Sequence, residues 1–301
     1  SIIVVHNFLI WSTNMKKRTA IYTTIVMMII LFVIITISIF KFNDNRKISH
    51  NDRSHIPTFY LHGYAGTGNS MKLLVNAAHQ SDNEKDVVRA RVSRNGMVTF
   101  EGDLNFNAKN PIIDIILEDN TNKDLNKNAQ WIRNVIIATM TQYHFNKFNF
   151  VAHSMGNQSF SYYMLNYGDD LHLPKLNKQV SLAGNFNGEV DINGLDLNIT
   201  LNNQGKPNLM LKDYKDILPM KHEYPKDAHV LNIYGDIGNG THSDGRVTNV
   251  SSKSLEYLLG DHIASYETFK VTGPQAEHSE LHDNQTVIDK INTFLWGNEK
   301  H

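Results

Sequence analysis

The length, charge and cysteine content of the chain limit what it can be. Its 301 residues suffice for one large globular domain and a short additional segment. Lysine and arginine number 29 and aspartate and glutamate 30, so the net charge of −1 gives no field that would attract nucleic acid. The absence of cysteine excludes disulfide bonds, cysteine-ligated zinc and thiol nucleophiles. Serine, carboxylate and histidine chemistry remain.

An uncharged apolar segment occupies residues 20–40. At ~1.5 Å per residue, a helix of this length spans the ~30 Å hydrocarbon core of a bilayer. A buried core helix is the alternative, but such helices are usually shorter and have a polar face. Basic residues at 16–18 precede the segment, which favours a cytoplasmic N-terminus and an external domain. We therefore predict a cytoplasmic segment over 1–19, a transmembrane anchor over 20–40, a tether over 41–55 and an extracellular domain over 56–301.

The sequence around this apolar segment also bears on processing. Met15-Lys16-Lys17-Arg18 is typical of a natural start, since a charged stretch leads directly into the apolar run. Residues 38–43 offer no convincing small-x-small cleavage site. We therefore expect that residues 1–14 are not native and that the anchor stays attached.

The domain over 56–301 alternates between strand-like and helix-like segments. Short apolar runs predict strands, and apolar positions at a spacing of three and four predict helices. This alternation is typical of a mostly parallel α/β sheet with helices on both faces. The predicted strands are 58–61, 86–93, 112–117, 148–151, 179–183, 229–234 and 266–271, and the predicted helices are 123–143, 157–167 and 285–296.

One stretch interrupts the alternation. Residues 185–227 are rich in Asn, Gly and Asp and are too long for an ordinary strand-to-helix loop. Long insertions in compact domains are typical of lids or binding loops, and a disordered surface excursion is the alternative. We predict a lid-like insertion whose scattered apolar residues face an apolar substrate. They are Leu195, Leu197, Leu201, Leu209, Met210 and Leu211.

The most specific local pattern surrounds Ser154. A predicted strand runs into Ala152-His153-Ser154-Met155-Gly156, and a helix-compatible segment follows. In a nucleophile elbow the serine lies on a strained strand-to-helix turn, and small residues two positions before and after it let neighbouring backbone come close. Ala152 replaces the usual glycine but is small enough to fit. The pattern predicts Ser154 as a nucleophile.

A serine nucleophile needs a base, an acid that orients the base, and N–H donors for an oxyanion. Leu61-His62-Gly63-Tyr64 follows the first predicted strand of the domain, where a His-Gly turn commonly presents a backbone N–H. We predict that the N–H groups of Tyr64 and Met155 form the oxyanion hole. A plain turn or a phosphate cradle is the alternative, but the loop lacks the Lys-Ser/Thr of a P-loop and the dinucleotide spacing.

Two aspartates and two histidines lie where the acid and the base are expected, after the serine in chain order. Asp236 and Asp244 follow the strand predicted over 229–234, and His278 and His282 lie between the last strand and the last helix. A calcium loop starting at residue 235 is a further interpretation, but it lacks the alternating acidic ligands and terminal Glu of an EF-hand. The remaining histidines, including His153, are interpreted as ordinary packing or surface residues.

Four segments of the domain together resemble a known family. They are residues 57–70, 151–156, 243–247 and 278–284. They are similar to an uncharacterised alpha/beta-hydrolase family of Gram-positive bacteria whose members are described as cell-surface hydrolases. The resemblance covers residues 56–297 and implies the alpha/beta-hydrolase fold, a Ser-His-Asp triad and a surface location. The likeness of the last two segments to the family's acid and histidine loops favours Asp244 and His278.

The sequence therefore predicts an esterase or lipase-like serine hydrolase that forms an acyl-enzyme on Ser154 and needs no metal or organic cofactor. Its substrate would be a small-molecule or lipid-like acyl compound. An amidase, peptidase or acyltransferase is an open alternative, because fold and triad fix neither acyl donor nor acceptor. A non-enzymatic cell-surface binding module is the second open alternative.

Overall fold

The computed structural model describes Met27 and residues 56–80, 86–103, 110–190 and 198–297. Ser54–His301 forms one compact unit of the chain. Within these described ranges, no helix is long and apolar enough to cross a bilayer. Of the predicted anchor over 20–40 only Met27 is described, and the segments 1–19 and 41–55 lie outside the described residues.

Eight strands of the described chain form a single sheet in the order β3-β2-β4-β1-β5-β6-β7-β8. Strands β2 and β3 are antiparallel, and every other neighbouring pair is parallel. The prediction of a mostly parallel sheet is therefore confirmed. The strands are β1 Thr58–Leu61, β2 Val87–Val92, β3 Val98–Glu101, β4 Ile112–Leu117, β5 Lys147–His153, β6 Lys175–Leu182, β7 His229–Asp236 and β8 Ser265–Thr272.

Helices cover both faces of this sheet. They are α1 Lys72–Gln80, α2 Leu125–Gln142, α3 Met155–Tyr167, α4 Lys212–Asp216, α5 Asn249–Lys253, α6 Leu255–Leu259 and α7 Gln285–Trp296. One buried apolar cluster joins α2, α3, α4 and α6 to the sheet, and the other joins α1 and α7 to it. Phe59 and Leu61 lie in the first cluster and Tyr60 in the second, because successive side chains of a strand point to opposite faces.

The helix ends show why these segments begin where they do. The Asp124 side chain accepts from the Lys127 N–H at 3.1 Å and caps α2. Asn284 caps α7 in the same way. Helix α3 differs, since Ser154 precedes it and makes no side-chain capping bond. The positive end of α3 therefore stays open beside Ser154.

The second half of the predicted insertion is part of the core. Tyr214, Ile217, Met220 and Tyr224 are buried in the cluster that contains α2 and α3. The Tyr214 hydroxyl donates to the carbonyl of Ser254 at 2.8 Å, which fixes α4 to the neighbouring helical segment. Phe186 lies in the same buried cluster, so the lid-like interpretation is limited to residues 188–211, and it stays a prediction there.

A closed lid would bury the leucine and methionine residues of this shorter segment, but those that the structure describes are all at least partly exposed to solvent. Leu209 is 42% exposed. Leu201, Met210 and Leu211 are partly exposed. The other two, Leu195 and Leu197, lie outside the described residues.

The sequence patterns did not predict β3, α1 or the five-residue helices α4, α5 and α6. Strand β3 is a four-residue antiparallel edge strand, and none of its side chains is fully buried, so no apolar run marks it. It follows a turn in which Gly96 has a φ of 85°, a conformation that favours glycine. Helix α1 buries only Leu74, Val75 and Ala78 of its nine residues.

Candidate active site

Strand β5 runs into helix α3 through the single residue Ser154. Its φ of 51° and ψ of −128° are unfavourable for a residue with a side chain, at a cost on the order of 1–3 kcal/mol. The surrounding backbone holds this turn. The Ser154 N–H donates to the carbonyl of Leu182 at 3.0 Å, and its own carbonyl accepts from the Asn157 N–H at 2.9 Å. The Asn157 side chain adds bonds to the carbonyls of Ala152 and Leu182, both at 3.0 Å.

Two glycines let the loop after β1 lie directly against this turn. A Cβ atom at Gly63 would lie 2.8 Å from the Cβ of Ser154. A Cβ atom at Gly156 would lie 2.8 Å from the carbonyl oxygen of His62. Both distances are shorter than carbon and oxygen atoms tolerate. The glycines of the two predicted motifs are thus required by the contact between the loops.

The side chains of Ser154, His278 and Asp244 form one hydrogen-bonded chain. The Ser154 Oγ lies 2.9 Å from His278 Nε2, and His278 Nδ1 lies 2.8 Å from Asp244 Oδ2. The other carboxylate oxygen, Oδ1, accepts from the backbone N–H groups of Arg246 and Val247 at 2.9 and 2.6 Å. Because a carboxylate only accepts, the imidazole proton lies on Nδ1 and Nε2 is free to accept the serine proton. Such an arrangement can turn a serine hydroxyl into a nucleophile.

Asp236, the rival acid, is engaged elsewhere. Its Oδ2 accepts from the Lys270 ammonium at 2.8 Å and the Asn249 side chain at 3.1 Å, and its Oδ1 accepts from the Gly238 N–H at 3.0 Å. The Lys270 bond and the Gly238 N–H lower the pKa of Asp236 to about 2. In the calcium interpretation a metal ion would pair with the Asp236 carboxylate. In the structure the Lys270 ammonium pairs with it instead. In the part of the chain that the structure describes, no group of histidine and acid side chains could hold a metal ion.

His62 fixes the loop after β1. Its Nδ1 lies 2.8 Å from the carbonyl of Gly63, and its Nε2 accepts from the Leu117 N–H at 3.1 Å. Only a neutral imidazole donates through one nitrogen and accepts through the other. Burial lowers the pKa of His62, in agreement with this neutral form. The loop that carries Tyr64 is therefore tied to β4.

Two further histidines lie near His278: His153 contacts it directly, and His282 contacts His153. His153 Nε2 lies 2.9 Å from the backbone oxygen of His278. The ring of His153 lies 4.8 Å from that of His278 and 5.0 Å from that of His282. His282, the rival base, places its Nδ1 2.8 Å from Asp283 Oδ1. Sequence reasoning interpreted His153 as an ordinary packing or surface residue and missed its bond to the His278 backbone, and only its place beside Ser154 could have indicated it.

The predicted oxyanion donors lie on the two loops that the glycines bring together. Among the residues that the structure describes, neither the Tyr64 N–H nor the Met155 N–H donates to a protein acceptor. Met155 is the first residue of α3, and the N-terminal N–H groups of a helix have no partner within it. Two open donors beside Ser154 can stabilise a negatively charged oxygen.

Comparison with known proteins places the chain in a family. The model of a family described as "Alpha/beta hydrolase of unknown function (DUF915)" matches residues 45–298. The chain belongs to this family. The fold and the family resemblance predicted from the sequence are therefore confirmed for this DUF915 alpha/beta hydrolase.

The solved structures that resemble the DUF915 chain include two from Gram-positive bacteria. The product of the gene lin2722 from Listeria innocua is 25% identical with a TM-score of 0.72, and the alignment covers 82% of this chain and 96% of that one. A protein of Lactobacillus plantarum WCFS1, named "putative cell surface hydrolase", is 20% identical with a TM-score of 0.65, covering 81% and 91%. This second likeness shows the fold alone. The search among curated proteins finds no match.

Proposed function

We propose that this alpha/beta hydrolase is a serine hydrolase that cleaves an acyl ester through an acyl-enzyme. The observation that carries the proposal is the unbroken hydrogen-bonded chain from Asp244 through His278 to Ser154. In the proposed reaction, His278 Nε2 takes the proton of Ser154, and Oγ attacks the acyl carbon. The imidazolium then gives its proton to the leaving alkoxide as the ester C–O bond breaks. Water attacks the acyl-enzyme in the same way and releases the acid.

The proposed oxyanion hole consists of the Tyr64 and Met155 N–H groups. Its support is the absence of other acceptors for these donors in the described chain, together with the open N-terminus of α3. The strained backbone of Ser154 also supports the proposal, because unusual backbone angles that are held by several hydrogen bonds are common at functional sites.

Labelling and substrate tests would distinguish the proposed esterase from the alternatives. We expect a fluorophosphonate probe to modify the folded protein at Ser154, as mapped by mass spectrometry of its peptides. We also expect chromogenic esters of short and long acids to be cleaved faster than the matching anilides. A folded protein that the probe leaves unmodified would instead be a binding module. Faster anilide cleavage would indicate an amidase, and acyl transfer to an added alcohol in preference to water would indicate an acyltransferase.

We further propose that residues 20–40 anchor the protein in the cell membrane with the hydrolase domain outside. The support is the uncharged apolar run and the basic residues before it. The full chain should sediment with membranes and resist carbonate extraction, and protease added outside intact cells should cleave the domain. A chain that begins at Ile56 should be soluble and keep the same kcat. Release of the full chain by carbonate, or protection of its domain in intact cells, would contradict this topology.

A further inference from the structure

We propose that His153 is a positioning residue, which holds the main chain of His278 so that its imidazole stays within reach of Ser154. This inference rests on the proposed function, since it assigns a role within the same site. His153 is the last residue of β5 and directly precedes Ser154. Its ring nitrogen Nε2 bonds to the His278 carbonyl and not to the side chains of Ser154 or Asp244, so the residue acts on the reaction through its neighbours.

The main chain of His278 is held at both of its polar groups. Its N–H donates to the carbonyl of Asp244 at 2.9 Å, and its carbonyl accepts from His153 Nε2 at 2.9 Å. His278 lies between the short helical turns Pro274–Ala276 and Glu280–His282, outside any helix or strand. No ladder of backbone hydrogen bonds therefore fixes its position. Removing the His153 donor leaves the buried carbonyl of His278 unpaired and frees the backbone on that side.

The ring of His153 also contacts the loop that carries the proposed oxyanion donor. A Cβ atom at Gly63 would lie 3.2 Å from His153 Nδ1, and the residue is only 6% exposed. The ring of His282 packs edge-on against that of His153, with an interplanar angle of 89° and 5.0 Å between the ring centroids. The His153 side chain thus bonds to the loop of His278 and lies close to the loop of Gly63, and its backbone leads directly into Ser154. Its surroundings leave the imidazole little room to turn away.

The charge of His153 suits this role. In the proposed reaction the His278 ring becomes an imidazolium, and the two ring centroids are 4.8 Å apart. A second positive charge at that distance would oppose the proton transfer. Burial, together with His278 and His282, lowers the pKa of His153 well below its ordinary value, so the residue stays neutral. A neutral N–H donor is therefore the chemical requirement at this position.

Two substitutions separate the donor from the volume of the side chain. His153→Gln keeps a neutral N–H donor, and His153→Leu fills the space without one. We expect His153→Leu to lower kcat for an ester by about 10- to 100-fold with KM within about 3-fold, because misplacing a catalytic group by about 1 Å has effects of this size. His153→Gln should restore kcat to within about 5-fold of the unsubstituted protein. His282→Leu is the matched control, since His282 contacts the same ring but makes no bond to the His278 backbone, and it should leave kcat nearly unchanged.

The outcomes distinguish this inference from the proposed function. Thermal melts establish that each variant is folded. Equal kcat for His153→Leu and the unsubstituted protein would overturn the positioning role, and so would a folded His153→Gln that is as impaired as His153→Leu. In both cases the unsubstituted protein would still react with a fluorophosphonate. A folded, unsubstituted protein that neither reacts with the probe nor cleaves esters would overturn the proposed function, and the inference with it.

Discussion

Replacing His278 with alanine is expected to lower kcat for ester cleavage by about 10⁴-fold or more, because Ser154 then has no base. The hydroxyl lies 2.9 Å from His278 Nε2, and the imidazole is the partner that accepts its proton. KM should change little, since the imidazole acts on the reacting atoms rather than on the rest of the substrate. Steady-state kinetics with a chromogenic ester would measure both constants.

His282→Ala is the matched control for this substitution. His282 belongs to the same loop, but its Nδ1 bonds to Asp283 and not to Ser154 or Asp244. We expect kcat to stay within about 3-fold of the unsubstituted protein. The reverse pattern, with full loss in His282→Ala and activity in His278→Ala, would move the base to His282. Circular dichroism should accompany both variants, because His278→Ala leaves the buried Asp244 carboxylate with one partner fewer.

Asp244→Asn is expected to lower kcat by on the order of 10⁴-fold although the shape of the side chain is kept. The reason is the orientation that the backbone forces on the new amide. The N–H groups of Arg246 and Val247 require an acceptor at the position of Oδ1. The amide NH₂ group must then face His278 Nδ1, which has to lose its proton to accept from it. The proton moves to Nε2, and the imidazole can no longer accept from Ser154.

Asp236→Asn provides the comparison for the acid. The substitution removes the charge that pairs with Lys270, but it leaves the bond between Asp244 and His278 in place. We expect a small decrease in thermal stability and a kcat within about 3-fold of the unsubstituted protein. A large loss of kcat in folded Asp236→Asn alone would reassign the acid.

The parallel strands and the last helix could be predicted because their signals are local. The run at 112–117 is fully buried and contains almost only β-branched and leucine residues. Helix α7 begins after a capping Asn284 and has buried residues at helical spacing. Strand β3 lacks such a signal, because none of its side chains is fully buried. Its strand conformation depends on its hydrogen-bonded pairing with β2. Tyr214 and Tyr224 stand among polar residues, and their burial depends on partners far away in the chain.

The order of the site residues could be read from motifs, but the choice of Asp244 over Asp236 and of His278 over His282 rested on the family resemblance and not on the residues themselves. Asp236 is the last residue of β7 and Asp244 lies in the loop after it, and the difference between them depends on Lys270, which β8 carries. The roles of His62 and His153 depend on Leu117 and on the carbonyl of His278, which are remote in sequence. A single sequence contains no sign of such long-range hydrogen bonds.

The contact between the loop of Gly63 and the turn at Ser154 also limits how related sequences can diverge. A methyl group added at Gly63 would overlap the Cβ of Ser154, and one added at Gly156 would overlap the backbone oxygen of His62. Both positions are therefore expected to stay glycine in related sequences. The strands behind the two loops are neighbours, with Leu61 paired to Ala152, and moving them apart would disrupt the centre of the sheet. We therefore expect the backbone of each loop to keep its length and course unless the other loop changes as well. Evolutionary variation should instead accumulate on the outer faces of the helices and at exposed loop positions such as Asn202, Asn203 and Gln204, where a new side chain meets solvent.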